Sequence, residues 1–293
     1  MSGSQRHFFS FYRLWTIAAN TMTEIVRQKF FYILLLFGVI VLILSLFLLE
    51  FSHLDRVKFI KDFNLAAIAF FGALITIVGT AELLPLELEN RTIYPILAKP
   101  VFRLEFLLGK FTGMISLLLL TLLLMSVIFA ALLFYTETQL LADAMAGRGL
   151  AEGVTVDEAV RQVKAQVRDA QLFKAILLIY FKLVIVCAVG ILIATFATSV
   201  VFNVICTSII YICGHLVTTA RAEWMSNQTV SSKPMLGILV FFIPDLDAFN
   251  IADALVLGQS VSWELVFQTI RYGFFYTGVI LLVAHFIFDS KEI

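Results

Sequence analysis

The chain has 293 residues, of which 61% are apolar and 14% are charged, and its formal net charge is zero. Soluble domains are about 45–50% apolar and about 25% charged, so this composition excludes an ordinary soluble protein. The balanced charge gives no reason to expect nucleic-acid binding. Because the apolar residues fall in long uncharged runs, we expect an all-α, polytopic membrane protein with one domain over residues 1–293.

Residues 8–28 predict an amphipathic helix that does not cross the membrane. Aromatic residues such as Phe11 and Trp15 recur at helical spacing with aliphatic ones, and charged residues such as Arg13 and Arg27 fill the opposite side. A helix with an aromatic stripe and basic residues is suited to lie in the membrane interface. The alternative is a helix packed on the protein itself.

Six segments are long and apolar enough to cross about 30 Å of hydrocarbon. Residues 183–220 contain no charged side chain over 38 positions, which is too long for one span. Together with the apolar residues 175–181, they predict two helices joined by a tight turn near residues 198–203. The other four predicted spans are residues 30–49, 63–81, 111–136 and 265–288.

The flanks of the first span predict its orientation. Arg27 and Lys29 precede it and Glu50 follows it, and short positively charged flanks stay on the cytoplasmic side. The raw count of lysine and arginine over all loops does not favour this orientation, which therefore depends on the first span. We therefore expect a multi-pass protein of the inner (plasma) membrane with both termini in the cytoplasm.

Two long polar segments are predicted on the outer side. Residues 137–174 form a loop in which Thr155 and Glu158 make a capping-box pattern before a short amphipathic helix. Residues 221–264 predict a re-entrant or interfacial hairpin that is closed by a turn at residues 244–250.

The connector between the second and third spans, residues 82–110, carries four acids, four bases and three prolines. Pro85 and Pro100 interrupt helical hydrogen bonding near its two ends. Charged groups are offered to a partner by Glu87, Glu89 and Arg91. An apolar anchor follows at Ile93, Ile96 and Leu97. Specific interfaces combine a charged rim with apolar anchors in this way. The alternative is a solvated cytoplasmic loop.

The sequence carries no pattern for catalysis or for a cofactor. The Gly109–Lys110 pair is not a phosphate-binding loop, because Leu104 stands where its first glycine belongs and Phe111 where its serine or threonine belongs. The four histidines are scattered along the chain, which does not suggest a metal site or a nucleophile triad. We therefore expect no enzymatic activity and no cofactor in this chain.

Two charged residues fall inside predicted spans, where charges are rare and often functional. Lys182 lies near the outer end of the fourth span, and Arg271 near the outer end of the last. Each side chain could reach the lipid headgroups by snorkelling. The alternative is that one of them lines a translocation path.

The whole chain resembles type-2 ABC exporter permeases, of the branch that includes permeases of copper-enzyme maturation and gliding-motility systems. Three features carry the resemblance: the helix before the first span, the pattern of residues 87–110 between spans two and three, and the Phe-Ile-Pro-Asp-Leu-Asp-Ala-Phe-Asn stretch at residues 242–250. In that family the helix before the first span is an elbow helix in the interface. The connector contains a cytoplasmic coupling helix.

The resemblance implies a permease that works with a separate ABC ATPase, which binds ATP and magnesium, and with a second copy of itself or a related permease. ATPase closure would drive alternating access in the lipid membrane and would move the substrate out of the cell, as in an exporter. The resemblance does not imply which substrate is moved. The residues that would couple to the ATPase are Glu87, Glu89, Arg91, Thr92, Lys99 and Arg103. The rival interpretation is a six-span membrane scaffold or biogenesis factor that transports nothing.

Overall fold

The structure is a computed structural model that describes residues 10–47, 53–83, 85, 102–146, 155–167, 171–226, 243–251 and 260–290. Regular secondary structure in these residues is entirely helical, which confirms the predicted all-α class. The elements in chain order are α1 (Phe11–Val26), α2 (Lys29–Leu44), α3 (His53–Leu83), α4 (Arg103–Met145), α5 (Val156–Val167), α6 (Gln171–Phe196), α7 (Val200–Ser226), a 3₁₀ turn (Asp247–Phe249) and α8 (Trp263–Ser290).

Five helices within the described residues are long and apolar enough to cross a membrane: α3, α4, α6, α7 and α8. A sixth candidate is the pair formed by α1 and α2, whose axes differ by 69°. The bend falls at Gln28, whose backbone is extended with φ −77° and ψ 133°. Helix α2 has 16 residues and is about 24 Å long, so it is shorter than the predicted span at residues 30–49.

Helix α1 occupies most of the predicted amphipathic segment. Its aromatic side chains Phe11, Tyr12 and Trp15 are strongly exposed, whereas Ala18 and Ile25 are buried against the rest of the protein. One side therefore packs on the bundle and the other is open. The location of that open side in a membrane interface stays a prediction.

The largest difference from the sequence prediction is the length of α4. The expected span covered residues 111–136, whereas α4 has 43 residues and is about 65 Å long. It includes residues 103–110 of the predicted connector and residues 137–145 of the predicted outer loop. The charged residues Lys110 and Glu137 marked these limits in the sequence, but both are buried in the bundle, as is Glu105.

The turn between the fourth and fifth predicted spans is confirmed. Helix α6 ends at Phe196 and α7 begins at Val200. The Phe202 N–H donates to Ser199 Oγ over 3.2 Å, which satisfies one of the free N–H groups of the first helical turn. The capping box before α5 is also confirmed, because the Thr155 N–H donates to Glu158 and the Glu158 N–H donates to the Thr155 hydroxyl.

The outer segment at residues 221–264 is described only in part. Helix α7 continues to Ser226, and α8 begins at Trp263. The turn at residues 244–250 is present as the 3₁₀ turn and its flanks. The remainder of the predicted hairpin lies outside the described residues.

Helix α6 forms the centre of the bundle, and it packs against α3, α4, α7 and α8. Small residues allow close approach between helices. A Cβ atom on Gly190 would overlap the Thr80 hydroxyl of α3, and one on Gly72 would lie 2.6 Å from Leu183 Cδ1. These contacts bring α3 and α6 together and position the cavity described below.

Candidate functional site

The first turns of α4, residues 103–113, form what we call the anchor segment. Arg103 Nη1 donates to the carbonyl oxygens of Phe288 and Asp289 at 3.0 and 2.7 Å. The last carbonyls of a helix lack intrahelical partners, and a cation there is favourable. The Phe106 ring also stacks on Phe288 with 6.2 Å between centroids. The start of α4 is therefore attached to the end of α8.

Glu105 attaches the anchor segment to the start of α1. Its side chain is 0% exposed. Its Oε1 accepts hydrogen bonds from the Ser10 N–H at 2.8 Å and from Arg13 Nη2 at 3.0 Å. Its Oε2 accepts a longer one, 3.4 Å, from the Phe102 N–H. A buried carboxylate needs such partners, because an unpaired charge in the protein interior is costly.

A second ion pair lies further along the anchor segment. The Lys110 side chain is 2% exposed, and its Nζ lies 3.0 Å from Glu24 Oε2. The same ammonium lies over the Phe106 ring, 5.8 Å from its centroid. Glu82 at the end of α3 is close enough to Glu24 to interact with its charge. The start of α4 and the end of α3 thus share one charged cluster with α1.

Two glycines allow α1 to approach the anchor segment closely. A Cβ atom on Gly109 would lie 2.7 Å from Ile17 Cβ, and one on Gly113 would lie 2.6 Å from the Ala18 carbonyl oxygen. This Gly-x-x-x-Gly spacing puts both glycines on one face of α4. The contact therefore combines close packing with two ion pairs.

The anchor segment is bonded to both α1 and α8. Residues 86–101 of the connector, which precede it in the chain, lie outside the described residues.

A cavity of about 220 Å³ lies among α3, α6, α7 and the segment that follows the 3₁₀ turn. Its walls combine apolar and polar side chains. They come from Asp62, Leu65, Ala66, Ala69, Phe70, Ala175, Ile179, Lys182, Tyr211, His215, Phe249, Asn250 and Ile251.

Lys182 and His215 meet in this cavity. Lys182 is only 4% exposed, and its Nζ lies 3.3 Å from His215 Nε2. The His215 Nδ1 lies 2.9 Å from the Tyr211 carbonyl oxygen. We assign the proton to Nδ1, because a carbonyl oxygen can only accept. Nε2 then accepts a hydrogen bond from the lysine.

The turn at residues 244–250 closes the cavity and is held by α7 and α8. The Leu246 N–H donates to the Gly214 carbonyl oxygen at 3.0 Å. A Cβ atom on Gly214 would lie 2.8 Å from the Leu246 side chain, and one on Gly273 would lie 3.1 Å from the Phe249 ring. The two glycines therefore make room for the apolar residues of the turn.

Asp245 fixes the conformation of the same turn. Its Oδ1 accepts hydrogen bonds from the Thr218 hydroxyl at 2.9 Å and from the Ala248 N–H at 3.2 Å. Its own N–H donates to the Tyr272 hydroxyl at 3.0 Å. These bonds hold the chain so that residues 249–251 form one wall of the cavity.

The structure places the residues singled out from the sequence as follows. Arg103 is bonded to the end of α8, Lys182 lines the cavity, and Arg271 is exposed on α8 away from the cavity. The remaining predicted coupling residues lie outside the described residues. They are Glu87, Glu89, Arg91, Thr92 and Lys99.

Sequence reasoning missed Glu105, Lys110 and His215 as parts of these sites. The sequence did contain a signal for the first two. They flank Gly109 in the connector, and the polar side of α1 carries the opposite charges at Arg13 and Glu24. No local pattern pointed to His215, which lies 33 positions from Lys182.

The chain matches no family model and no curated protein.

Proposed function

We propose that the chain is the membrane-spanning permease subunit of an ABC transporter, and that a separate ATPase drives it through alternating access. The observation that carries the proposal is the bonding of the anchor segment to α1 and α8. A connector that receives force from a partner must deliver it to the spans, and a segment joined to two further helices can do so.

The connector residues Glu87 and Glu89 are the proposed contacts with the ATPase. They precede the anchor segment by 14 to 16 positions, counted from residue 103. Binding there would place the ATPase beside the joint between α3 and α4. ATP and magnesium would be bound by the partner, and this chain would supply the moving spans.

Arg103 takes a different role from the one that the family resemblance implies. Its guanidinium group donates to two carbonyl oxygens of α8, so these hydrogen bonds are made within the chain. We assign Arg103 to the transmission of movement from the connector to α8. Direct contact with the ATPase is assigned to residues 87–99.

The ion pairs make the anchor segment move as one body with α1. Breaking a buried pair by removing one partner costs about 3–5 kcal/mol, which is a large part of the stability of an ordinary domain. The Glu105 carboxylate is fully buried in such a pair. A push on the connector is therefore expected to shift α1 and α4 together before it separates them.

The complete transporter would contain two permease subunits, this chain and a second copy or a related one, with two ATPase subunits. Transport out of the cell follows from the family resemblance alone. The rival function, a six-span scaffold without transport, would need no ATPase partner.

The test is copurification of an ATPase with the tagged full-length chain from its native membrane. We expect ATP hydrolysis in the purified wild-type complex and its loss in the double variant Glu87→Ala with Glu89→Ala. Loss of one member of a desolvated charge pair costs about 2–5 kcal/mol in binding, which is more than tenfold in affinity. Hydrolysis that never copurifies with the wild type would favour the scaffold.

The matched control is the double variant Asp157→Ala with Glu264→Ala, which removes two exposed acids from α5 and from the start of α8. It changes the net charge by the same amount. We expect it to retain the ATPase. If both double variants retain full ATPase activity, Glu87 and Glu89 are not the coupling contact.

A further inference from the structure

Lys182 is a buried cation whose charge has no direct counterion among the described residues. Its Nζ contacts His215 Nε2 at 3.3 Å, and no carboxylate of the described residues forms an ion pair with it. An ammonium group has three donors and no acceptor, so one bond to a neutral imidazole leaves donors free. A buried ammonium with unused donors is costly, and an anionic ligand that accepts from them would lower that cost.

The surroundings of Lys182 limit which anion can bind. Leu65, Ala69, Ile179 and Ile251 give the cavity apolar walls, which suit a ligand with an apolar part. The volume of about 220 Å³ is below the roughly 300–1,000 Å³ of pockets for drug-sized molecules. The occupant is therefore a headgroup or a short-chain molecule.

The acids near the cavity limit the charge of the ligand. Asp62 is exposed and lies on the cavity wall, and Asp247 of the 3₁₀ turn interacts electrostatically with both Lys182 and His215. These acids repel any anion, and a doubly charged one most strongly. A carboxylate or a phosphodiester carries one charge and can offset this repulsion by accepting hydrogen bonds from the Lys182 ammonium.

We propose that this cavity is a binding site for a singly charged carboxylate or phosphodiester with a short apolar group, and that Lys182 is its principal ligand contact. His215 positions the lysine through its Nε2 atom. The site lies within one chain and is separate from the connector. It does not depend on the proposed transport function, because binding can be measured on the isolated chain.

The experiment is calorimetric titration of the purified full-length chain in detergent with four probes: hexanoate, dibutyl phosphate, hexanol and hexylammonium. We expect saturable binding of the two anions. The neutral alcohol and the cation should bind at least about tenfold more weakly, since a hydrogen bond to a charged group contributes that much. Equal binding of hexanol and hexanoate would overturn the proposal.

Lys182→Met removes the charge and keeps an unbranched side chain of similar length. We expect it to weaken hexanoate binding by at least about tenfold. The matched control is Lys174→Met on the same helix. The Lys174 ammonium donates to the Val261 carbonyl oxygen at 2.7 Å and lies 4.7 Å from the Trp263 ring centroid, so its loss should leave binding unchanged. Unchanged binding in Lys182→Met would overturn the proposal.

A second variant tests the site without touching the lysine. Ala69→Leu adds three carbon atoms to the apolar wall and should abolish binding of both anions. Full affinity in this variant would place the anions elsewhere and would contradict the proposal, even if Lys182→Met cannot be purified as a folded protein.

A competition experiment separates the two sources of such a ligand. Short-chain phosphatidylglycerol carries its phosphodiester on a lipid, whereas hexanoate represents a free acid. If the lipid displaces hexanoate, the site takes a lipid headgroup. If hexanoate stays bound at saturating lipid, the site takes a free small anion. Either result supports the shared anion chemistry, and no saturable anion binding at all would refute it.

Discussion

Arg13 Nη2 lies 3.0 Å from Glu105 Oε1, and the two residues differ sharply in exposure: the arginine side chain is 28% exposed and the glutamate side chain 0%. Loss of the ion pair is therefore more costly for the Glu105 carboxylate, which is buried and has no access to water. The arginine, which is nearer the surface, can turn to water when the pair is broken.

The exposures predict an asymmetric response to mutation. Arg13→Met should lower the free energy of unfolding by about 3–5 kcal/mol, because it leaves a buried carboxylate without its cation. Glu105→Gln should cost less, since an amide oxygen can still accept from the Ser10 N–H and the arginine can reach water. Denaturant unfolding in detergent measures both. The double variant should cost less than the two single costs added, and strict additivity would show that the pair does not couple.

The glycines of the anchor segment should not tolerate a methyl group. Gly113→Ala would place Cβ 2.6 Å from the Ala18 carbonyl oxygen, a backbone atom, so α1 must move. Overpacking of this kind costs about 1–3 kcal/mol. Gly109→Ala should cost a similar amount, because its Cβ would lie 2.7 Å from Ile17 Cβ, whose position is fixed by the α1 backbone. The shift of the thermal unfolding midpoint measures both costs.

Gly278→Ala is the control for these two variants. Gly278 lies within α8, and nothing would come within 4 Å of its added Cβ. Alanine is favoured over glycine in a helix by about 0.5–1 kcal/mol, so this variant should be slightly more stable. If all three variants shift the unfolding midpoint alike, the contact between α1 and α4 is looser than the structure shows.

Arg103 is predicted to hold the end of α8. Arg103→Ala removes the donor to the Phe288 and Asp289 carbonyl oxygens, so the last turn of α8 should fray. Amide hydrogen exchange in residues 284–290 should become faster while exchange in α6 stays slow. The control is Arg271→Ala, an exposed arginine of the same helix. Equal exchange in the two variants would mean that Arg103 does not cap α8.

The predicted orientation can be tested by cysteine labelling in intact cells, after the three native cysteines have been replaced. A cysteine at position 4 or 291 should react with a membrane-impermeant reagent only after the cells are permeabilised. One at position 264 should react from outside. Labelling of positions 4 and 291 in intact cells would reverse the orientation and would place the connector outside, where no ATPase could reach it.

The sequence by itself determined the features that depend on local chemistry. Uncharged runs of sufficient length indicate helices that cross a membrane whatever surrounds them, since the backbone must satisfy its own hydrogen bonds in lipid. Two further features were predictable because they too are local: the break between α6 and α7, and the capping box at Thr155 and Glu158. Each depends on residues within a few positions of one another.

Only the tertiary structure decided where the charges go. Glu105 and Lys110 were assigned to the connector from the sequence, and the predicted span began only after Lys110, because an isolated charge is expected in water. Their partners Arg13 and Glu24 lie 92 and 86 positions away, and their pairing allows α4 to continue through the charged segment. Lys182 could equally have reached the headgroups. The packing of α3, α6 and α7 buries it beside His215, which lies 33 positions away in the sequence.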